Sequence, residues 1–156
     1  MSTLETWELL SYVVTVIGLP MALLVFVFEQ RKERENEEDE VYQLLSDNYE
    51  KFLRVALANP DLHLFSAGKA GDMTLEQRER MLIIFDMLIS LFERAYLLLY
   101  EARMTEMQAR RWGSWEDYMS DWCKRADFLA ALPDLLRGED PGFAEYIKGL
   151  AAKMGK

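Results

Sequence analysis

LLSYVVTVIGLPMALLVFVF, residues 9–28, is a run of 20 residues without one charged side chain. At a rise of about 1.5 Å per residue it forms a helix about 30 Å long, the hydrocarbon thickness of a bilayer. The competing reading, a core helix of a soluble domain, accounts less well for an apolar run of this length. A cleaved signal peptide does not fit either. The preceding segment, with Thr3, Glu5 and Glu8, holds no Lys or Arg, the run is too long, and no small-x-small cleavage site follows. The run therefore predicts a single transmembrane helix.

Its flanks predict a direction. The first basic residues of the chain are Arg31, Lys32 and Arg34, immediately after the run. The positive-inside bias places that side in the cytoplasm and the N-terminus outside the inner membrane. Glu33, Glu35, Glu37, Glu38 and Glu40 are interspersed there, but acidic residues weigh little in that bias. Trp7 and Tyr12 fall near the outer end, where aromatic rings favour the headgroup layer.

Within the run, Ser11, Thr15, Gly18 and Ala22 recur at spacings of four, three and four, which is one face of an α-helix. Small residues on one stripe let helices approach closely in lipid, and hydroxyls bond across the seam. The stripe is a candidate helix–helix association face and predicts a homo-oligomer. Pro20 lacks an N–H and predicts a kink near residue 16, a candidate gating point.

Beyond the run, neither Pro nor Gly occurs from Met21 to Asn59, so the helix is expected to continue unbroken. Residues 29–40 are almost all charged and should be solvated. Apolar periodicity resumes at Val41, Leu44, Leu45, Tyr49, Phe52, Val55 and Ala56, an amphipathic stripe that must dock on something. Asn59-Pro60 ends it. After a connection over residues 61–72, Thr74 and Gln77 form a capping box for a helix over 75–103. Met81, Leu82, Ile84, Phe85, Leu88, Ile89, Leu91, Phe92, Leu98 and Leu99 cover most of its circumference. Asp86, Glu93 and Arg94 argue against a second span, since charges near the centre of a span are costly. A central buried helix is expected instead. Asp86, Ser90, Glu93 and Arg94 share a polar sector, either a network pairing Glu93 and Arg94 with neighbouring helices or a solvated or subunit-facing strip.

Thr105 and Ser114 read as further N-caps, with Gly113 between short helices. Trp115, Tyr118 and Trp122 fall on one face, joined by Trp112 and Phe128. That face is either an aromatic core seam or a partner surface, where Trp and Tyr are over-represented. Asp140-Pro141 starts a last helix with Phe143, Tyr146, Ile147 and Leu150 inward. Lys148, Lys153 and Lys156 suit the negative end of its dipole. The predicted fold class is all-α: residues 1–30 as the N-terminal segment and transmembrane helix, residues 31–156 as an acidic cytosolic helical domain.

The formal net charge of −9 argues against a phosphate-tracking nucleic-acid surface. Cys123 is the only cysteine, so no intramolecular disulfide can form. His63 is the only histidine, and one His and one Cys 60 residues apart are too few for a zinc site. His63 carries no flanking signature of a nucleophilic triad. Gly68-Lys69 has the end of a P-loop, but His63 stands where its first Gly belongs and Ala70 where Ser or Thr belongs. No EF-hand spacing is present. The expectation is a non-enzymatic protein with no metal or other cofactor.

Phe92-Glu93-Arg94-Ala95-Tyr96-Leu97-Leu98 and the segment 115–122, with the N-terminal span, resemble small single-span bacterial membrane proteins with a cytosolic helical domain. The layout is similar to that of the membrane accessory proteins of type VI-B CRISPR systems. The resemblance covers most of the chain in layout and few residues in motif. It implies an oligomeric pore or membrane-disrupting accessory in antiviral defence. The Arg-x(4–6)-His motif of helical HEPN ribonucleases is absent, because no Arg stands four to six residues before His63. The chain is thus expected to be either a self-associating membrane protein that forms a pore or a membrane-tethered adaptor that recruits a cytosolic protein through the tryptophan face.

Overall fold

The computed structural model describes residues 7–8, 11–12, 14–66 and 71–154. Thr3, Glu5, Leu9, Leu10, Val13, the Gly68-Lys69-Ala70 stretch and Lys156 lie outside the described residues. The fold is all-α, with no strand among the described residues. A π-turn at Val14–Gly18 leads into α1 (Leu19–Ala58), followed by a 3-10 turn (Pro60–Leu62), α2 (Leu75–Leu99), α3 (Glu106–Trp122), α4 (Ala126–Leu135) and α5 (Pro141–Met154). Two compact units result, Met1–Val41 and Tyr42–Lys156.

In the first unit, every residue from 14 to 40 is exposed, including the whole described apolar run. This is the one helix among the described residues long and apolar enough to cross a membrane. Pro20 cannot donate to the carbonyl of residue 16, and its ring crowds that group. The helix accommodates it by widening to the π-turn at Val14–Gly18.

In the second unit, local chemistry sets most helix starts. The Thr74 N–H donates to Gln77 Oε1 at 3.0 Å, and the Gln77 N–H donates to Thr74 Oγ1 at 3.2 Å. Thr105 and Gln108 repeat this box at 2.9 and 3.3 Å. At α5 the Phe143 N–H donates to Asp140 Oδ1 at 2.9 Å, with Pro141 opening the helix. Gly138, at φ +91, makes the turn before it.

Ser114 is not an N-cap. α3 runs straight through Gly113 and Ser114, because Trp112 and Trp115 are both buried and hold the helix across the glycine. α2 ends at Leu99 rather than 103. Tyr100 turns extended (φ −80, ψ 124), and its ring packs on Tyr96 at 4.8 Å, Tyr146 at 5.1 Å and Trp112 at 5.2 Å.

The core of this unit collects Leu45, Phe52 and Ala56 of α1 around Ile84, Phe85, Leu88, Ile89, Phe92 and Ala95 of α2. Trp112, Trp115, Met119 and Trp122 of α3, Phe128 and Leu132 of α4, and Phe143, Ile147 and Leu150 of α5 complete it. α2 is central without being enclosed: Leu82, Ile83, Met87, Leu97 and Leu98 are exposed.

Candidate functional site

The small residues of the apolar N-terminal helix do not make one straight seam. A π-turn closes by i→i+5 bonding, so it takes up one more residue than an α-turn and offsets the residues beyond it by roughly 100°. Ser11 and Thr15 lie before or within Val14–Gly18, while Gly18 and Ala22 lie at its end and after it. The Thr15 hydroxyl also donates to the Ser11 carbonyl of its own helix at 2.9 Å, so it needs no partner across a seam.

The tryptophan face is core. Trp112, Trp115 and Trp122 are buried, and only Tyr118 reaches the surface. The three tryptophans are therefore core rather than a docking face, and Tyr49 and Phe52 of α1 lie against Trp115 and Trp122. Tyr49 stacks on Tyr118 at 4.5 Å and meets Trp115 edge-on at 5.9 Å, and Phe52 meets Trp122 at 5.8 Å. Burial pushes the Tyr49 hydroxyl up to about 12. Trp112 sits apart in a second cluster, where its Nε1 donates to the Tyr146 hydroxyl at 3.1 Å.

A cleft of about 390 Å³ opens beside this seam, lined by Tyr49, Leu64, Phe65, Ser66, Tyr118, Asp121, Trp122, Lys124 and Arg125. Its size suits a small ligand or one anchoring side chain. Asp121 and Lys124 pair across its exposed rim at 2.6 Å. Arg125, which the sequence did not single out, builds the wall. Its Nη1 donates to the carbonyls of His63 at 3.0 Å, Leu64 at 2.6 Å and Ser66 at 3.3 Å. Its Nε and Nη2 bind Asp127 at 3.0 and 2.6 Å, with Arg125 buried and Asp127 largely so. The other end of the loop is held by Arg80, which donates to Asn59 and Asp61 at 2.6 Å each. The hydrogen bond from Arg80 holds the Asp61 carboxyl below its usual range.

The predicted polar network forms only in part. Glu93 turns toward α5 and accepts the Asp140 N–H through Oε1. It also shares a hydrogen bond with Glu139, whose carboxyl is pushed up to about 7 by burial and by the Glu93 and Asp86 charges. Asp86 and Arg94 are exposed, and the expected pairing of Arg94 with a neighbouring helix is not made among the described residues. A lone helix face cannot bring an Arg to a partner that the fold leaves out of reach.

His63 adopts a left-handed conformation (φ 48) in the loop. Cys123 is buried, and desolvation pushes its thiol up to about 11. Among the described residues no group of three or more His, Cys, Asp or Glu could hold a metal. No protein-family model, no curated protein and no solved structure matches the chain.

Proposed function

We propose that this is a non-enzymatic, single-pass protein of the inner membrane, with its N-terminus outside and a helical domain in the cytoplasm that works by self-association. The observation that carries the reading is the exposed apolar helix at residues 14–28, continuous with α1. In water such a surface is strongly unfavourable, and a bilayer is the environment that removes it from solvent. Arg31, Lys32 and Arg34 at its end support the orientation. By its resemblance to the type VI-B accessory proteins, the assembly acts as a pore or membrane-disrupting element in antiviral defence. The acidic chain does not engage nucleic acid directly.

The test is the mass of the full-length protein in a mild detergent, with the detergent contribution subtracted, together with a reporter fused to the C-terminus. A defined oligomer and a cytoplasmic reporter are expected. A monomer at every accessible concentration, or a reporter active only outside, defeats the reading.

A second reading, a membrane-tethered adaptor, is favoured by the cleft between Phe65 and Tyr118. An apolar cleft with a charged rim fits an anchoring side chain of a cytosolic protein. Under this reading, Tyr118→Ala removes partner capture and leaves oligomer mass unchanged.

A further inference from the structure

Ile83, Asp86, Met87, Ser90, Arg94 and Leu97 lie along one uncovered face of α2. Ile83 is 61% and Leu97 58% exposed, while Asp86, Met87 and Arg94 are exposed and Ser90 is half-buried. Ile83, Met87, Ser90, Arg94 and Leu97 follow one another at spacings of four, three, four and three, and Asp86 lies four residues before Ser90, so all six share one side of the helix. A set of exposed aliphatic residues aligned in this way marks an interaction surface rather than an ordinary solvated face.

The order of the residues says what covers it. Counted outward from Ser90, Asp86 and Arg94 are each four residues away, Ile83 and Leu97 seven, and Leu82 and Leu98 eight. At about 1.5 Å per residue, Asp86 and Arg94 each lie about 6 Å from Ser90 along the axis, on opposite sides. Read in reverse the face is complementary to itself at these positions: aliphatic at both ends, an acid opposite a base, and a small hydroxyl in the middle; only Met87, mirrored by Glu93, departs from this. A foreign partner has no use for that symmetry, whereas a two-fold axis produces it, because an isologous contact presents the same patch from both copies.

Given a chain that self-associates, as proposed above, we infer that two copies pair through this face, with the α2 helices antiparallel and crossing at Ser90. Asp86 of each copy then stands level with Arg94 of the other, and Ile83 with Leu97. The four charges alternate in sign across the axis, so the antiparallel register is attractive and a parallel one sets like against like. The small Ser90 side chain permits close approach at the crossing. A cavity of about 250 Å³ beside the stripe, edged by Lys51, Val55, Met87 and Arg94, leaves room for the Met87 side chain of the second copy.

The geometry gives a direct test on the full chain in detergent or native membranes. Helix axes 8–10 Å apart leave roughly 4–5 Å between facing Cα atoms, within the range a disulfide bridges. Ser90→Cys is therefore expected to yield a covalent dimer under mild oxidation, and buried Cys123 gives a low background. Ile83→Cys alone should not link, because its copies are about 20 Å apart along the axis, but it should link to Leu97→Cys when the two chains are mixed. Placed in the Ser90→Cys background, Asp86→Arg and Arg94→Asp should each lower the linked fraction about tenfold or more, and the double exchange should restore it. Restoration by the double exchange is the outcome that a general loss of folding does not give. An oligomer that persists by mass without the Ser90→Cys link overturns this interface and leaves self-association standing through another surface. A chain that is monomeric by mass removes both. Linking of Ile83→Cys alone shows a parallel pair and overturns the antiparallel register.

Discussion

Arg125 holds the wall of the cleft through backbone carbonyls rather than side chains, and its replacement leaves more than one group stranded. Arg125→Met removes the donor shared by the carbonyls of His63, Leu64 and Ser66 and leaves the Asp127 carboxylate buried without its cation. Breaking a buried pair from one side costs about 3–5 kcal/mol, so chemical denaturation should show a loss of that order. Arg125→Lys should recover only a small part, since one ammonium cannot span a bidentate carboxylate and three carbonyls. The double change Arg125→Met with Asp127→Leu should cost less than the sum of the two single changes, because the orphaned charge is gone. Glu139 gives the opposite case, a carboxyl held where its charge is unwelcome. Its folded value of about 7 stands above the ordinary 4.5, so the folded state binds the proton more tightly than the unfolded chain. Its favourable contribution is complete below about 4.5 and is lost as the pH rises through about 7. Thermal melts should therefore fall in midpoint between pH 5 and pH 8. Glu139→Gln should flatten that dependence and raise the midpoint at pH 8. A wild-type midpoint that rises over this interval would contradict the assignment.

At the scale of elements, α3 shows how local and tertiary signals divide the work. Its start was legible because Thr105 and Gln108 satisfy each other's backbone within four residues. The capping box at Thr74 was legible for the same reason. Gly113-Ser114 looked like a break between helices, since Gly is a weak helix former and Ser a favoured N-cap. What overrode them lies far away in sequence: Trp115 on Tyr49, and Trp112 on Tyr146. The glycine is then a local cost with no packing function, because a Cβ there would meet nothing within 4 Å. Gly113→Ala should raise stability by about 0.5–1 kcal/mol, read as a shift in denaturation midpoint at unchanged slope. The same distance in sequence hid the role of Arg125, whose carbonyl partners precede it by 59 to 62 residues. It also left open which group Glu93 meets, because that depends on where α5 begins. The aromatic spacing correctly placed Trp115, Tyr118 and Trp122 on one face. It could not tell core from surface, because that depends on what α1 lays against them. Pro20 was legible as a disturbance, but its form, a widened turn that offsets the small residues on either side, comes only from the backbone.

For the whole molecule, the question is whether the apolar N-terminal helix, long and apolar enough to cross a membrane, would contribute more than anchorage. Two features bear on it in opposite senses. Gly18 and Ala22 are small and exposed on the apolar helix, which suits close contact in lipid. The offset at Val14–Gly18 and the internal bond of Thr15 take Ser11 and Thr15 out of the same seam. The α2 face, in contrast, keeps its aliphatic ends and alternating charges on one continuous stripe. Replacing residues 9–28 by an unrelated apolar span of equal length, with residues 29–156 retained, separates the contributions. If α2 carries the pairing, the exchanged chain remains membrane-bound, keeps its oligomer mass in detergent, and still links through Ser90→Cys. Gly18→Ile in the native span should likewise leave the dimer intact. Conduction or membrane damage, if the assembly is a pore, must be lost on the exchange even though pairing survives, because the pore wall is then made of foreign side chains. An adaptor keeps its partner capture under the same exchange. Loss of the oligomer on exchange would instead place the pairing in the span. The α2 stripe would then be a face for a different molecule, and its self-complementarity an accident of composition.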